Sequence, residues 1–443
     1  MLSLLSGCTI YQPKPLQTAD LDLRMQPPSH ETIALDAAKL QHPRLKPIKL
    51  DFSAPLTEDE LAVIAVLINP SLKALRVREQ VAEAQVFAAG LLPDPQLSIG
   101  LDFPSSGGPN LVPAYALGLN WPIAALFTRP AEKHIAEAQA RQVHYDIAWQ
   151  EWLISNQVRL LARRISYLKR QLLLAQQASE IAKHLFDITK KNVDAGDAKI
   201  DELALRNVAF LDAEDRSLSL ARDVEKTRQD LNLALGLPPG EPIELAEIPS
   251  YPLQLNNAAT LFASAKAQRL DLLALQAGYE SQEASLYRAT LAQYPGFSLG
   301  LTRARDTSDV HTHGVGISLD IPLFNRNRGN IAMASATREQ LHEEYVARLQ
   351  QTRGDIATLV ADIEHIDQER IALSMQLPEL AREEAVLRNA AQTRDVTLTA
   401  YEAVRGTLLD KQLKLLGLEQ LRAEQQIALQ LSVGASLNPR DQP

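Results

Sequence analysis

The sequence predicts a mainly α fold with a small β part, built as two tandem repeats of a strand hairpin plus long coiled-coil helices. The first observation behind this is a duplication. Leu72, Ala74, Leu75, Glu83, Ala84, Ala89, Leu91, Pro95, Ser98, Gly100 and Leu101 recur at 272, 274, 275, 283, 284, 289, 291, 295, 298, 300 and 301, a constant spacing of 200. Leu119 and Pro122 of LNWPI likewise answer Leu319 and Pro322 of LDIPL. A repeat of that length is far longer than solenoid periods. The second observation is that residues 131–193 contain neither Pro nor Gly. A helix over that run extends roughly 95 Å at 1.5 Å per residue. The third is that four segments change from helical periodicity to a period of two, the mark of strands.

Composition narrows the class. Leu, Ala, Gln, Glu and Arg are abundant and aromatics make up 5% of the 443 residues, which suits long helices better than a conventional core. The net charge of −9 lacks the basic face a nucleic-acid partner needs. The longest apolar run, Leu61 to Ile68, is far too short for a helical membrane span, so a membrane crossing has to be made by a barrel. No G-x-S-x-G, P-loop or H-E-x-x-H occurs, which argues against an enzyme and implies no cofactor.

Residues 1–8 read as a truncated signal ending in Leu5-Ser6-Gly7-Cys8, which resembles a bacterial lipobox. Cys8, the only cysteine, is the predicted lipidation site, carrying palmitate-type acyl chains, and Thr9 in place of Asp fits delivery to the outer membrane. Residues 9–56 carry many prolines and no clear period, and read as an extended segment lying over the surface of something else.

The first repeat spans 57–240. Thr57-Glu58-Asp59-Glu60 is a capping box, and the helix it opens runs to about Gly90 with an interruption near Asn69-Pro70. A hairpin follows over about 95–122. Leu97, Ile99, Leu101 and Phe103, then Tyr115, Leu117, Leu119 and Trp121, form one apolar face. Gln96, Ser98, Gly100, Asp102, Ala116, Gly118 and Asn120 form a polar or tiny one. Long helices over 131–193 and 198–236 are joined by Asp194-Ala195-Gly196-Asp197, where Gly196 suits a positive-φ turn. Val208, Leu211, Leu218, Val224, Leu231 and Leu235 read as a coiled-coil seam.

The second repeat spans 241–443, with a linker over 241–256, a helix, and a hairpin over about 295–322. Phe297, Leu299 and Leu301, then Val315, Ile317, Leu319 and Ile321, alternate with Gly316, Ser318 and Asp320. Long helices over 329–391 and 397–434 follow, the first expected to kink at Pro378. Arg394-Asp395 stands near the place of Gly196-Asp197. His311 and His313 read as part of a solvated hairpin loop rather than a metal site, and the other histidines as scattered over helices.

Alternation of this kind is compatible with a sheet on a soluble core or with a transmembrane barrel whose apolar residues face lipid. The rest of the chain is long helix, with nothing evident to cover the apolar face. Under the barrel reading Trp121, Tyr115, Phe103 and Tyr294 supply aromatic girdles, and Asp102, Asn120, Ser318 and Asp320 face the lumen. Four strands are too few to close, so several chains contribute.

The passages AAGLLPDPQLSIGL and RATLAQYPGFSLGL, the strand exits LNWPI and SLDIPLFNRNRGNIAMA, and the tip VDAGDAKIDELAL together resemble the TolC-like outer-membrane efflux family over about 57–434. The segment PLFNRNRGN resembles the branch serving resistance-nodulation-division pumps, including those for heavy-metal cations. The resemblance implies a homotrimer, with a twelve-stranded outer-membrane barrel continued by a periplasmic α-helical tunnel. It also implies a periplasmic adaptor and an inner-membrane pump as partners, and passive conduction of metal cations or small toxic compounds. Asp194, Gly196, Asp197, Arg394 and Asp395 are then candidates for the periplasmic entrance and its closure. The rival reading from another class is a lipid-anchored periplasmic coiled-coil adaptor.

Overall fold

The structure, a computed structural model, describes residues 11–108, 110–247, 257–393 and 395–437. Two short helices, α1 (Thr18–Met25) and α2 (His30–Ala38), come first. The first repeat is α3 (Glu58–Ile68), α4 (Pro70–Ala89), β1 (Gln96–Asp102), β2 (Ala114–Trp121), α5 (Ala125–Asp194) and α6 (Ile200–Leu235). The second is α7 (Ala258–Gln268), α8 (Leu270–Leu291), β3 (Gly296–Arg305), β4 (His311–Asp320), α9 (Arg328–Gln392) and α10 (Leu398–Val433). Much of the expected linker over 241–256, and Cys8, lie outside the described residues.

Each copy starts with a capped short helix that breaks into a longer one. At Thr57 the hydroxyl accepts the Glu60 N–H at 3.3 Å, and the Glu60 carboxylate accepts the Thr57 N–H at 2.8 Å. Asn257 does the same work for α7, accepting the Thr260 N–H at 2.8 Å. Between α3 and α4 the backbone opens at Asn69, and Pro70 takes the first helical position, where no N–H is needed. Asn69 Oδ1 accepts the N–H groups of Ser71 and Leu72 at 2.9 and 3.2 Å, while its Nδ2 donates to the Ala234 carbonyl at 2.8 Å. In the second copy Arg269 occupies this place, donating to the Ser432 carbonyl at 3.1 Å and to Asp271 at 2.7 and 3.1 Å.

The return helices end on glycines that lock these breaks. Gly236 and Gly434 have φ of 80° and 74°, the left-handed cap conformation. A Cβ on Gly236 would lie 2.6 Å from Pro70 Cδ, and one on Gly434 2.9 Å from Arg269 Cα. The C-terminal end of each return helix is thus clamped against its own repeat's helix break.

Around the clamps sit the two cores. One joins Leu61, Ile64 and Ile68 of α3 to Trp152, Leu161 and Ile165 of α5 and Leu231 and Leu235 of α6. Ile33, Ala37, Leu45 and Leu50 of the N-terminal segment complete it. That segment is therefore not wholly extended as its prolines suggest. Helix α2 forms because Ser29 caps it and Ile33 and Ala37 turn one face inward, a two-residue stripe too short to register as a period. The other core gathers Leu261 and Ala265 of α7, Ile356, Val360 and Ile363 of α9, and Leu429 and Val433 of α10.

The long helices exceed their expected bounds at the strand end. Helix α5 has 70 residues and contains Pro130; α9 has 65 and passes through Pro378, where one i→i−4 bond is lost. At 1.5 Å per residue they extend roughly 105 and 98 Å. The expected α6 seam divides: Leu231 and Leu235 are buried, whereas Val208, Leu211 and Leu218 are exposed. Heptad spacing does not say which neighbour a seam meets, and among the described residues the outer half of this one is left exposed.

Candidate functional site

The four strands form one antiparallel sheet in the order β1-β2-β3-β4. Registers place Leu97 opposite Leu119, Ile99 opposite Leu117 and Leu101 opposite Tyr115. Trp121 lies opposite Leu299 and Leu119 opposite Leu301. Phe297, Leu299 and Leu301 pair with Leu319, Ile317 and Val315. Paired residues share a face, so one face carries all of these side chains. It is uncovered: Leu97 and Ile99 are each 67% exposed, Ile317 69% and Val315 76%. Phe103 and Ile321 fall one residue beyond the ends of β1 and β4, still exposed. Strands β1 and β4 each leave an edge unpaired by any other described strand.

The opposite face carries Asp102, Asn120, Ser318 and Asp320 among small residues. Gln96 pairs with Asn120, Gly100 with Ala116, Gly296 with Asp320 and Ser298 with Ser318. At the helix end of the sheet, Trp121 Nε1 donates to the Pro93 carbonyl at 2.8 Å, and Arg129 Nε donates to the Gly90 carbonyl at 2.9 Å. These bonds hold the α4–β1 passage against the start of α5. Phe324, Tyr294, Leu91 and Leu92 are exposed at the same level.

Three histidines lie elsewhere than the sequence suggests. His311 and His313 are strand residues of β4, not loop, because β3 continues past Leu301 to Arg305 and pairs Arg303 with His313 and Arg305 with His311. The turn is tight: Asp306 Oδ1 accepts the N–H groups of Ser308 and Val310 at 2.8 and 3.0 Å. Charged residues hid the strand, since the apolar alternation stops at Leu301 while the pairing does not. His42 also departs from expectation, lying between α2 and α3 rather than on a helix.

At the far end of the hairpins, Gly196 adopts φ 81°. Asp197 N–H donates to the Asn192 carbonyl at 2.8 Å, closing the α5–α6 turn. Asp194 and Asp197 are exposed, with no salt bridge among the described residues. In the α9–α10 turn the Asp395 N–H donates to the Ala390 carbonyl at 2.8 Å, and its carboxylate accepts from the Thr393 hydroxyl. Thr397 caps α10. Arg394 lies outside the described residues.

Among the described residues, one contact that joins the two hairpins lies on the helices beside their tips. That contact is Arg206 of α6 with Glu402 of α10, beside Ala178, Ala182, Ala209, Ala213 and Gly406. Arg206 is buried, and burial lowers its pKa. Farther from the tips, Arg216 meets Asp410 at 2.6 Å, and Arg164 meets Glu424 through two bonds of 2.7 and 2.8 Å. For Glu424, burial pushes the pKa up, but the bonds from Arg164 and Gln420 outweigh it and hold it low. A cation inside an otherwise small-residue seam was the available signal for Arg206.

A buried charged group also ties down the N-terminal segment. Glu151 of α5 accepts from Arg76 Nε at 2.8 Å, and its other oxygen lies 3.1 Å from His42 Nε2. His42 Nδ1 accepts the N–H groups of Arg44 and Leu45, each at 3.0 Å. Exposed Glu339, His342 and Glu343 on α9 are close enough to share an ion, and no further His, Cys, Asp or Glu among the described residues joins them. Among the described residues no helix is long and apolar enough to cross a membrane.

Comparison with known proteins agrees with this geometry. The profile of the outer membrane efflux protein family matches twice, over residues 62–237 and 261–435. No curated protein matches the chain. Among solved structures, the outer-membrane channel OprN is 15% identical, covering 91% of this chain and 96% of its own, with a TM-score of 0.74. VceC of Vibrio cholerae is 15% identical over 86% of this chain and 97% of its own, with a TM-score of 0.70. The open state of the MtrE channel of Neisseria gonorrhoeae is 16% identical over 98% and 100%, with a TM-score of 0.67. At such identities the likeness shows the fold, and the family rests on the two profile matches. The chain belongs to the outer membrane efflux protein family, whose members are channels of the bacterial outer membrane and not enzymes.

Proposed function

We propose that three copies of this chain form the outer-membrane channel of a tripartite efflux system. The observation that carries this is the sheet: an uncovered apolar face, a polar or tiny opposite face, and two free edges. Backbone groups at a free edge cannot remain unpaired in lipid, so β4 of one copy pairs with β1 of the next until the ring closes. Two copies would give eight strands, whose interior side chains fill. Three give twelve and leave a bore, which the small residues of the inner face widen.

In this reading Leu97, Ile99, Leu101, Phe103, Tyr115, Leu117, Leu119, Trp121, Phe297, Leu299, Val315, Ile317, Leu319 and Ile321 face lipid. Asp102, Asn120, Ser318 and Asp320 line the lumen and keep it wet. Val208, Leu211 and Leu218 meet the neighbouring protomer's helices, which would explain their exposure in a single chain. The tips at Asp194, Gly196, Asp197, Arg394 and Asp395 form the periplasmic entrance and meet an adaptor protein, and an inner-membrane pump supplies the energy. Cargo is metal cations or small toxic compounds, conducted passively, and Cys8 carries a lipid anchor.

Purified protein in a planar bilayer tests this, with oligomeric mass determined on the same preparation. A trimer giving discrete conductance steps is the expected result. A monomer that never conducts, even with Asp194, Asp197 and Asp395 neutralised, rejects it. For the anchor, intact mass of the membrane-extracted protein should show an acyl mass that Cys8→Ala removes.

A further inference from the structure

The outward face of the sheet is not apolar along its whole length. On β3 and β4 the pairs Phe297–Leu319, Leu299–Ile317 and Leu301–Val315 are succeeded, one step later on the same face, by Arg303–His313 and Arg305–His311. The other hairpin has no such change: its outward residues stay apolar or aromatic through Leu101 and Tyr115. Of the two arginines, Arg305 is committed. It donates to the Pro113 carbonyl at 2.8 Å, lies 3.6 Å from Asp309, and stacks over the Tyr115 ring at 5.5 Å. Arg303 is exposed and, among the described residues, has neither an ion pair nor a hydrogen bond of its side chain.

The nearby acidic groups do not neutralise it. Asp306 is occupied by the backbone of its own turn, and Asp309 is shared between Arg305 and His311. Asp102 and Asp320 belong to the opposite face. An unpaired guanidinium on a lipid-facing strand costs about 2–4 kcal/mol at mid-membrane and close to nothing at the interface. Its place at the turn end, beyond the apolar pairs of its own hairpin and opposite Leu117 of β2, brings it toward headgroup height. A planar guanidinium there matches a phosphate oxygen pair bidentately.

We infer that Arg303, set beside the His313 and Arg305 positions, binds the phosphate of an outer-leaflet glycolipid headgroup, one lipid per protomer. This rests on the channel reading, which places the face in the membrane. The test is a titration of the detergent-solubilised full-length protein, wild type and Arg303→Gln, with diphosphorylated lipid A. The same lipid without phosphates serves as a second probe, bound lipid is counted by native mass spectrometry, and bilayer conductance is recorded on the same samples. The expected result is roughly tenfold weaker binding for Arg303→Gln, the scale of one lost charge-assisted contact. Dephosphorylated lipid should bind the wild type equally weakly, and millimolar orthophosphate should not displace the phosphorylated lipid.

Equal binding of both lipids, or equal binding by wild type and Arg303→Gln, overturns the inference; intact conductance in those samples leaves the channel standing. Displacement by orthophosphate overturns the lipid as its source. A wild type that neither trimerises nor conducts removes the face from the membrane and overturns both readings.

Discussion

Ile317 and Ser318 are neighbours on β4 that point to opposite faces, Ile317 paired with Leu299 and Ser318 with Ser298. The same substitution at the two positions separates the membrane face from the lumen with almost no change in sequence context. Ile317 is central in its outward row, between Val315 and Leu319. Arginine there should cost about 2–4 kcal/mol per copy, or roughly 6–12 kcal/mol for an assembly of three. That is comparable with the whole stability of a domain, so Ile317→Arg should fail to insert. At Ser318 the guanidinium meets water in the bore, and three added positive charges should alter conduction while insertion stays near wild type. Insertion is read by protease protection and trimer content in lipid vesicles, and selectivity by the reversal potential in a salt gradient. If Ile317→Arg inserts as well as wild type while Ser318→Arg does not, the assignment of faces is inverted. If both insert and neither alters the reversal potential, the sheet does not line a channel.

Four further outcomes follow from the helices. Gly236→Ala should destabilise by about 2–5 kcal/mol, combining the left-handed backbone penalty with overlap on Pro70, seen as a lowered Tm. Gly354→Ala, in open space in the middle of α9, should raise stability by about 0.5–1 kcal/mol. Burial pushes the Glu151 carboxyl up, but His42 and the charge and hydrogen bonding of Arg76 outweigh it and hold its pKa below the usual value of 4.5. Its contribution to stability is therefore full above about pH 4.5 and is lost as pH falls through the lowered value. Denaturation of Glu151→Gln should show a flatter acid limb than wild type, and an identical limb rejects the linkage. Neutralising Asp194 and Asp197 together should reduce cation preference in single-channel recordings, because unpaired carboxylates around a narrow axis concentrate cations. An unchanged reversal potential removes them from the entrance.

The local signals of this chain determined most of its architecture. A proline- and glycine-free run has no place to stop, so the helix through 131–193 had to be long, and Gly196 and Gly236 mark where the chain reverses. Strict alternation fixes which strand residues share a face, because a one-residue slip would exchange the faces. The recurrence at a spacing of 200 tells that whatever the first half builds, the second builds again. None of this needs a distant contact.

What only the tertiary structure decided are the features made by residues far apart in sequence. Strand β3 runs on to Arg305 although its apolar pattern ends at Leu301, because β4 is there to pair with it. Helix α2 is held by α3 and the core behind it, not by its own short stripe. The breaks at Asn69 and Arg269 are set against Gly236 and Gly434, more than 160 residues away. Arg206 finds Glu402 on the other hairpin besides Glu202 on its own helix, and Val208, Leu211 and Leu218 face away from the chain that carries them. Periodicity states that a face must be buried, but the fold alone states against what, since burial is a property of the packed neighbour and not of the helix.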